Sequence, residues 1–124
     1  MGYLSLNDLK TYQLSCEYAD ECWNVYMVLS WQLKKIFGDQ MITSVDSVGA
    51  NIAEGYGRFH FLDKIKFYYN ARGSLLESKH WLDLFLKRKI INKEKYDQLM
   101  CIYYNIHLGL NGLINSVYKN KNKN

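Results

Sequence analysis

Three polar side chains occur close together in an otherwise apolar stretch and could take part in binding. Asn51, Glu54 and Arg58 lie three and four residues apart, so a helix places all three on one face. A carboxamide, a carboxylate and a guanidinium on one face could hold a polar ligand or the phosphate of an RNA. They could also form a buried structural network, because polar groups in a core need hydrogen-bond partners. The partners that we predict on the following helix are Arg72, Ser74 and Glu77.

Two interpretations of this polar group remain open at the level of sequence. A half-satisfied polar network destabilises a core, which favours a complete structural network over a ligand pocket. Such a network would join the second and third helices, or one copy of the chain to another. Gly55 and Gly57 follow directly, and their tolerance of positive φ predicts that they end the second helix. They lack the Lys and the Ser or Thr that complete a phosphate-binding loop.

The other polar residues form no catalytic constellation. His60, His80 and His107 are scattered over a loop and two helices, without the HxxxH spacing of a zinc site. Ser44, Ser47 and Ser74 lie on helices and lack both a nucleophile elbow and an adjacent histidine. We therefore predict no enzymatic activity, no metal and no cofactor.

Basic side chains near both ends of the third helix form another candidate site. They are Arg58, Lys64, Lys66, Lys87, Arg88 and Lys89. In a single chain, solvent exposure and compensation of the helix dipole explain them. Repeated around an oligomeric ring, they would attract phosphates, and nearby aromatic rings could stack on bases. We predict weak, salt-sensitive binding of RNA or DNA.

The bulk composition describes one domain of ordinary size. The chain has 124 residues, 48% of them hydrophobic and none of them proline, so long helices can run without interruption. Its net charge of +4 is unevenly distributed. Residues 1–54 hold 3 basic and 7 acidic groups, whereas residues 55–95 hold 10 basic and 4 acidic groups. This asymmetry could orient neighbouring subunits.

Cysteine usage and the lack of a long apolar run predict the environment of the protein. Cys16 and Cys101 fall on apolar helical stripes, so we expect small buried thiols in a reducing compartment. The first residues do not resemble a signal peptide, and no apolar stretch approaches the ~18 residues of a membrane span. We expect a cytoplasmic protein without a membrane partner.

Apolar periodicity predicts four helices along the chain, at residues 8–29, 33–56, 61–88 and 93–118. The connections between them are short, so neighbouring helices must be antiparallel. The predicted fold is an all-α, up-down-up-down antiparallel four-helix bundle formed by residues 1–118. The Lys- and Asn-rich tail at 119–124 is expected to be disordered.

The apolar stripes on these helices suggest how each is buried. The stripe of the first helix consists of Leu9, Tyr12, Cys16, Ala19, Trp23 and Tyr26. The third helix has one seam made of Ile65, Tyr68, Leu75, Leu82 and Leu86. Its second seam consists of Phe67, Ala71, Ser74, Ser78, Trp81 and Phe85. Two seams exceed what one bundle is expected to bury, so we predict that copies of the chain associate.

The motifs of the second and third helices resemble a known family. Asn51-Ile-Ala-Glu-Gly-Tyr-Gly-Arg58 and Ala71-Arg-Gly-Ser-Leu-Leu-Glu77 are similar to the paired motif of the bacterial 23S rRNA intervening-sequence protein family, also called four-helix-bundle proteins. The opening Asp8-Leu-Lys-Thr-Tyr-Gln13 and the later Leu110-Asn-Gly-Leu-Ile114 fit as well. This resemblance implies a bundle that assembles into a ring-like homopentamer. More distantly, the fold resembles the accessory variability determinant of diversity-generating retroelements, a pentamer that binds reverse transcriptase and nucleic acid.

Two functions are compatible with these features. The first is a non-enzymatic oligomeric scaffold that binds a macromolecule, either RNA or DNA or a protein, through the assembled ring. The alternative is a small-molecule or cofactor binder that uses a cavity in the bundle or along the ring axis. The resemblance does not choose between them, because the family name records the position of its genes within rRNA insertions and implies no agreed activity.

Overall fold

The computed structural model describes residues 5–121, and most of that range is helical. Within it, a short 3-10 turn at Leu6–Asp8 precedes four long helices. Three of them are regular: α1 is Lys10–Met27, α3 is Phe61–Lys87 and α4 is Lys93–Asn120. The helix α2 covers residues 31–57 in three consecutive segments, which are Trp31–Leu33, the π-helical Lys34–Gly38, and Asp39–Gly57.

Contacts near the helix ends show that α1, α2 and α3 run in alternating directions. Tyr26, near the end of α1, donates a hydrogen bond of 2.6 Å to Asp39 in the first half of α2. Phe37, also early in α2, packs edge-on against Phe85 near the end of α3, with ring centroids 5.1 Å apart. In both pairs the end of one helix lies beside the start of another, so the neighbours are antiparallel.

Helix α4 closes the bundle between α3 and α1. Tyr96, at the start of α4, donates a 2.5 Å hydrogen bond to Asp83 near the end of α3. The ammonium of Lys95 lies 3.3 Å from a carboxylate oxygen of Glu21 in the second half of α1. These contacts confirm the predicted all-α, up-down-up-down four-helix bundle.

The core consists of apolar side chains contributed by all four helices. The largest fully buried ones are Tyr18, Cys22, Met41, Val45, Val48, Ile52, Leu75, Leu82, Phe85, Leu99, Ile106 and Leu110. Burial of each large aliphatic or aromatic side chain contributes about 1.5–3 kcal/mol, which makes this core the main source of stability.

One polar pair lies inside this apolar core. The Tyr18 hydroxyl of α1 is 2.7 Å from Ser78 Oγ of α3, and both side chains are fully buried. Ser78 Oγ donates its single proton to the Leu75 carbonyl oxygen at 2.6 Å, so Tyr18 must be the donor in the first bond. The two bonds satisfy both hydroxyls and join helices that face each other across the bundle.

The helix α1 turns a different side to the core than the sequence predicted. Its buried residues are Thr11, Ser15, Tyr18, Cys22 and Val25. The predicted stripe is shifted by one residue, which corresponds to a rotation of about 100°. Two of the buried positions carry the small polar residues Thr11 and Ser15, so the buried side is not an apolar stripe in the sequence. Trp23, which belongs to the predicted stripe, is 49% exposed.

The prediction that Cys16 and Cys101 are buried was also wrong, and for Cys16 the rotation of α1 is the reason. Cys16 and Cys101 are exposed, and the buried thiol belongs to Cys22. Burial raises the pKa of the Cys22 thiol to about 12. This cysteine therefore packs as a small apolar side chain.

The second predicted seam of the third helix is covered within one chain. Three of its members are buried and the other three are half-buried, namely Ala71, Ser78 and Phe85, then Phe67, Ser74 and Trp81. The helices α2 and α3 form the most extensive interface of the bundle, which accounts for the extra buried width on α3. The prediction that the two seams exceed what one bundle can bury was therefore wrong, and this seam does not require copies of the chain to associate.

Gly55 allows α2 and α3 to approach closely. A Cβ atom on Gly55 would lie 2.7 Å from Cε1 of Tyr68 and 3.2 Å from Cβ of Phe67. No glycine among residues 5–121 has a positive φ, and α2 continues through Gly57 until Arg58 becomes extended at φ −85° and ψ 145°. The helix therefore ends at Gly57, within one residue of its predicted end, but neither glycine ends it through positive φ, and that part of the prediction was wrong.

The helix ends differ from the predicted ones at both termini of the chain. The helix α1 begins at Lys10, because residues 6–8 form a separate turn and no side chain caps α1. The helix α4 continues to Asn120, into the predicted disordered tail. Residues 1–4 and the rest of that tail, 122–124, lie outside the described part of the chain.

Replacing Gly55 with alanine should lower the free energy of unfolding by about 1–3 kcal/mol, because the added methyl group overpacks the α2–α3 interface. Gly57→Ala is the matched control, since nothing lies within 4 Å of a Cβ at that position. Its stability should stay within about 0.5 kcal/mol of the wild type or rise. Urea unfolding followed by circular dichroism measures both variants. Equal losses would contradict the packing role of Gly55.

Alkaline pH should destabilise the fold. Burial raises the pKa of Tyr68 and of Cys22 to about 12, and it raises the pKa of Tyr18 well above its usual value. Because these pKa values are higher in the folded state, their contribution to stability is full below about pH 9 and is lost as pH rises. The free energy of unfolding should fall above that pH, by up to ~1.4 kcal/mol per pH unit for each group. Urea titrations across this range should show the fall, and Tyr68→Phe should reduce its slope.

Candidate functional site

The predicted polar face of α2 lies at the surface of the bundle. Glu54 and Arg58 are both exposed and form an ion pair of 3.0 Å within the helix. The guanidinium of Arg58 also lies over Phe67 of α3, 5.0 Å from the ring centroid. Asn51 is half-buried, and its amide donates a 2.8 Å hydrogen bond to the Ser47 carbonyl oxygen one turn earlier. These contacts are mostly local to α2.

Arg72 extends toward α4. Its Nη1 atom donates a 2.9 Å hydrogen bond to Oδ1 of Asn111, and Nδ2 of that residue lies 3.3 Å from His107 Nε2. The guanidinium also lies over Tyr69, 4.8 Å from the ring centroid. Arg72 therefore joins α3 to α4. The sequence placed Asn111 in a family motif but offered no sign that it accepts this hydrogen bond.

The other two predicted network residues on α3, Ser74 and Glu77, lie on different sides of that helix from Arg72. Ser74 is half-buried, and the exposed Glu77 accepts a 3.2 Å hydrogen bond from Trp81 Nε1. Glu77 and His80 have the Glu-x-x-His spacing of di-iron bundles. Both are exposed, however, and His80 packs edge-on against Trp81 with centroids 4.9 Å apart. Across residues 5–121, no three His, Cys, Asp or Glu side chains converge as metal ligands.

The structure does not gather the six predicted network residues into one cluster. Arg72 and Glu77 are five residues apart, or about 140° around α3, so they cannot both face α2. The prediction of an α2–α3 network within one chain was therefore wrong. Every buried side-chain nitrogen and oxygen in the described part of the chain has a hydrogen-bond partner without such a network.

The basic residues near the start of α3 serve the structure in part. Lys64 Nζ donates hydrogen bonds of 3.1 and 3.0 Å to the carbonyl oxygens of Gly55 and Tyr56. It thereby caps the last turn of α2, and partial burial lowers its pKa. Lys66 is exposed and lies 5.7 Å from the ring centroid of Phe67. Lys66 thus remains at this end as a surface cation.

The basic residues at the end of α3 form a denser group. Lys87, Arg88 and Lys89 are consecutive, exposed, and without a salt bridge to any carboxylate in residues 5–121. The guanidinium of Arg88 lies over Phe37 of α2, 5.5 Å from the ring centroid. A helix of 27 residues is about 40 Å long, so the two basic groups lie at opposite ends of the bundle.

Lys89 adopts a backbone conformation that usually belongs to glycine. Its φ is 61°, a value that no other non-glycine residue in the described chain approaches. Its amide donates to the Leu86 carbonyl oxygen at 3.1 Å, and the Ile90 amide donates to the Phe85 carbonyl oxygen at 2.8 Å. This is the Schellman pattern, in which glycine is the common residue. A lysine in its place costs about 1 kcal/mol in backbone strain.

The grooves on the described surface are open to solvent. One of them, of about 470 Å³, is lined mainly by Tyr12, Cys16, Glu17, Asp20 and Glu21 on one side of α1. Another, of about 300 Å³, lies beside the α1–α2 turn. Within residues 5–121, none of the helices combines the length and the apolar character needed to span a bilayer.

These features define an all-α four-helix-bundle protein with polar and basic clusters on its surface. Residues 7–112 match the family described as 23S rRNA-intervening sequence protein, and the chain belongs to that family. It is also similar to a crystal structure from Bacteroides thetaiotaomicron, described as a protein with unknown function from the S23 ribosomal protein family. That likeness has 26% sequence identity and a TM-score of 0.78, and it covers 84% of this chain and 97% of the other. The comparison with curated proteins found no match.

Glu54→Ala should change the free energy of unfolding by no more than about 0.5 kcal/mol, because an exposed ion pair within a helix contributes little. Asn111→Ala should lower it by about 1–2 kcal/mol, because the variant leaves half-buried Arg72 without its acceptor. Both values can be measured by urea unfolding. A larger loss for Glu54→Ala than for Asn111→Ala would show that Glu54 belongs to a stabilising network after all.

Proposed function

We propose that this protein is a non-catalytic scaffold that assembles into a homopentamer and binds nucleic acid as an assembly. Neither its family nor its structural neighbour carries a description of an enzymatic activity. The number of subunits follows the resemblance of its motifs to ring-forming bundles. The surface of the single chain supports association on separate grounds.

The observation that carries the proposal is a line of exposed apolar side chains on α3. Leu62, Tyr69 and Leu76 are seven residues apart, so they follow one another along the same side of the helix. Their exposed fractions are 68%, 38% and 65%. On α4, Tyr104 and Leu108 are exposed as well. We refer to these five residues as the α3–α4 face.

Hydrogen bonds between α3 and α4 place this face along the contact between the two helices. The Tyr69 hydroxyl lies 3.2 Å from the Tyr118 hydroxyl, and Arg72 bonds to Asn111 in the adjoining turn. Large apolar side chains that line up along two packed helices are typical of an interaction surface. The core of the bundle is already complete without the exposed parts of these side chains, which are therefore available to a partner.

Charge complementarity favours a second copy of the chain as the partner of this face. Arg72 has no salt bridge to a carboxylate among residues 5–121. On the other side of the bundle, Asp20 of α1 and Asp46 of α2 likewise lack a salt bridge in that range. Burial and the nearby Asp20 charge raise the pKa of Asp46, so this side would gain from a cation. A contact between two different sides of the same protein can close into a ring.

Nucleic acid is the macromolecular partner that the charges support. Lys87, Arg88 and Lys89 present three uncompensated cations on each chain, and a ring would repeat them five times. Such repetition should raise the affinity for nucleic acid, because each phosphate that a cation neutralises releases counterions. The alternative of a small-molecule site has less support, since the described grooves are open and the buried polar side chains are already satisfied.

Leu76→Asp should dissociate the assembly, because it places a charge within the α3–α4 face. Light scattering of nuclease-treated wild type should give five times the chain mass of 14.7 kDa, and the variant should give a smaller mass. Ile36→Asp is the matched control, since Ile36 is 66% exposed but lies outside that face. A wild type that is a folded monomer at micromolar concentration would overturn the proposal, as would a Leu76→Asp variant of unchanged mass.

A further inference from the structure

The turn between α1 and α2 exposes a group of apolar side chains. Val28, Trp31 and Ile36 are 84%, 72% and 66% exposed, and Met27 is 53% exposed. Four such side chains within ten residues are more than isolated surface hydrophobics. They lie at one end of the bundle, separate from the α3–α4 face.

The end of α3 lies beside this turn. Phe37 packs edge-on against Phe85, and the guanidinium of Arg88 covers the same Phe37 ring at 5.5 Å. The exposed apolar turn and the basic end of α3 therefore belong to one surface. We refer to residues 27–37 together with residues 87–89 as the bundle tip.

Cations and aromatic rings alternate across the bundle tip. Lys34 Nζ lies 4.9 Å from the ring centroid of Tyr26, and Lys35 Nζ lies 5.9 Å from that of Trp31. The Arg88–Phe37 pair repeats this arrangement on the α3 side. One carboxylate, Asp39, stands near Lys35 at 3.7 Å and leaves most of the positive charge uncompensated.

The backbone conformation of Lys89 is a second observation that favours a binding role for the positive charge at the bundle tip. Its φ of 61° strains the backbone, and glycine would remove that strain. Residues held in such conformations concentrate at functional positions, where a side chain is needed in spite of the strain. The Schellman turn directs the chain out of α3 at this point, and the lysine is exposed to solvent.

We propose that the bundle tip binds single-stranded nucleic acid, with an unpaired base stacked on Trp31 and phosphates held by Lys34, Lys87 and Lys89. This inference rests on the proposed nucleic-acid function and assigns it a site. Bases of a single strand expose their faces, and stacking on an aromatic side chain is the usual way to hold them without sequence preference. In a duplex those faces are already stacked, so the exposed Trp31 ring would have no partner.

The arrangement of charges favours a strand over a lipid surface. A membrane-inserting tip separates its apolar side chains from a basic rim, because headgroups and acyl chains lie at different depths. At the bundle tip the cations lie over the rings themselves. A nucleic-acid strand alternates phosphates with bases over similarly short distances, and it matches this alternation.

The test uses the full chain and a fluorescein-labelled oligouridylate of about 15 nucleotides, with binding followed by anisotropy at low salt. Trp31→Ala should weaken binding by about 5- to 100-fold, through the loss of one stacked base. Lys89→Gly should weaken binding and lower the slope of log affinity against log salt by about 0.7. The same variant should melt a few degrees higher than the wild type, because glycine relieves the strained φ.

Two variants at the other end of the bundle are the matched controls. Phe59 is an aromatic residue that is 76% exposed, and Lys66 is an exposed cation from the alternative basic group. Phe59→Ala and Lys66→Ala should bind the oligonucleotide as the wild type does. Binding to a duplex of the same length and to phosphatidylglycerol vesicles is measured for the same proteins.

The possible outcomes separate this inference from the proposed function. If the wild type binds the oligonucleotide but Trp31→Ala and Lys89→Gly bind equally well, the bundle tip is not the site, while the nucleic-acid function stands. If the wild type does not bind at low salt, both fail. Equal affinity for the duplex would overturn single-strand preference. Vesicle binding that requires Trp31, with oligonucleotide binding unaffected, would make the bundle tip a lipid-binding surface instead.

Discussion

The packing of α2 against α3 is the constraint on which the rest of the structure depends. Gly55 brings the two helices into close approach at one end, and the edge-on contact between Phe37 and Phe85 holds them together at the other. Because both ends are held, Lys64 can reach the last carbonyl oxygens of α2, and Arg88 can cover Phe37. The same packing buries the second apolar seam of α3. It also separates the two basic groups by the length of a helix.

The polar residues of the family motifs act separately in this bundle. Glu54 and Arg58 pair on the surface, whereas Arg72 bonds to Asn111 and joins α3 to α4. The buried polar contact that crosses the core comes from Tyr18 and a serine outside the predicted network. A buried hydroxyl must find a partner, so this contact also limits how the two helices can rotate relative to each other.

The two exposed apolar regions differ in what surrounds them, and this difference argues for different partners. The α3–α4 face runs along the helices. Beside it, Arg72 has no salt bridge within residues 5–121, and neither do the acids Asp20 and Asp46 on the α1–α2 side of the bundle. The bundle tip lies across the helix ends and mixes its apolar side chains with cations. Copies that associate along their helices would leave the tips uncovered at the rim of the assembly. The proposed self-association and the proposed binding of a strand would therefore use separate surfaces of one molecule.

Sequence alone determined the number of helices, their alternating direction and the family, because each long helix needs an apolar side and each short connection reverses the chain. Tertiary structure decided which side of α1 is buried, since small residues such as Ser15 pack inward where a neighbouring helix comes close. It also decided where the side chains of Arg72 and Glu77 point. The close approach of α2 and α3 explains the glycine at position 55. Rotation and close approach depend on contacts between residues far apart in the chain, which local periodicity does not record.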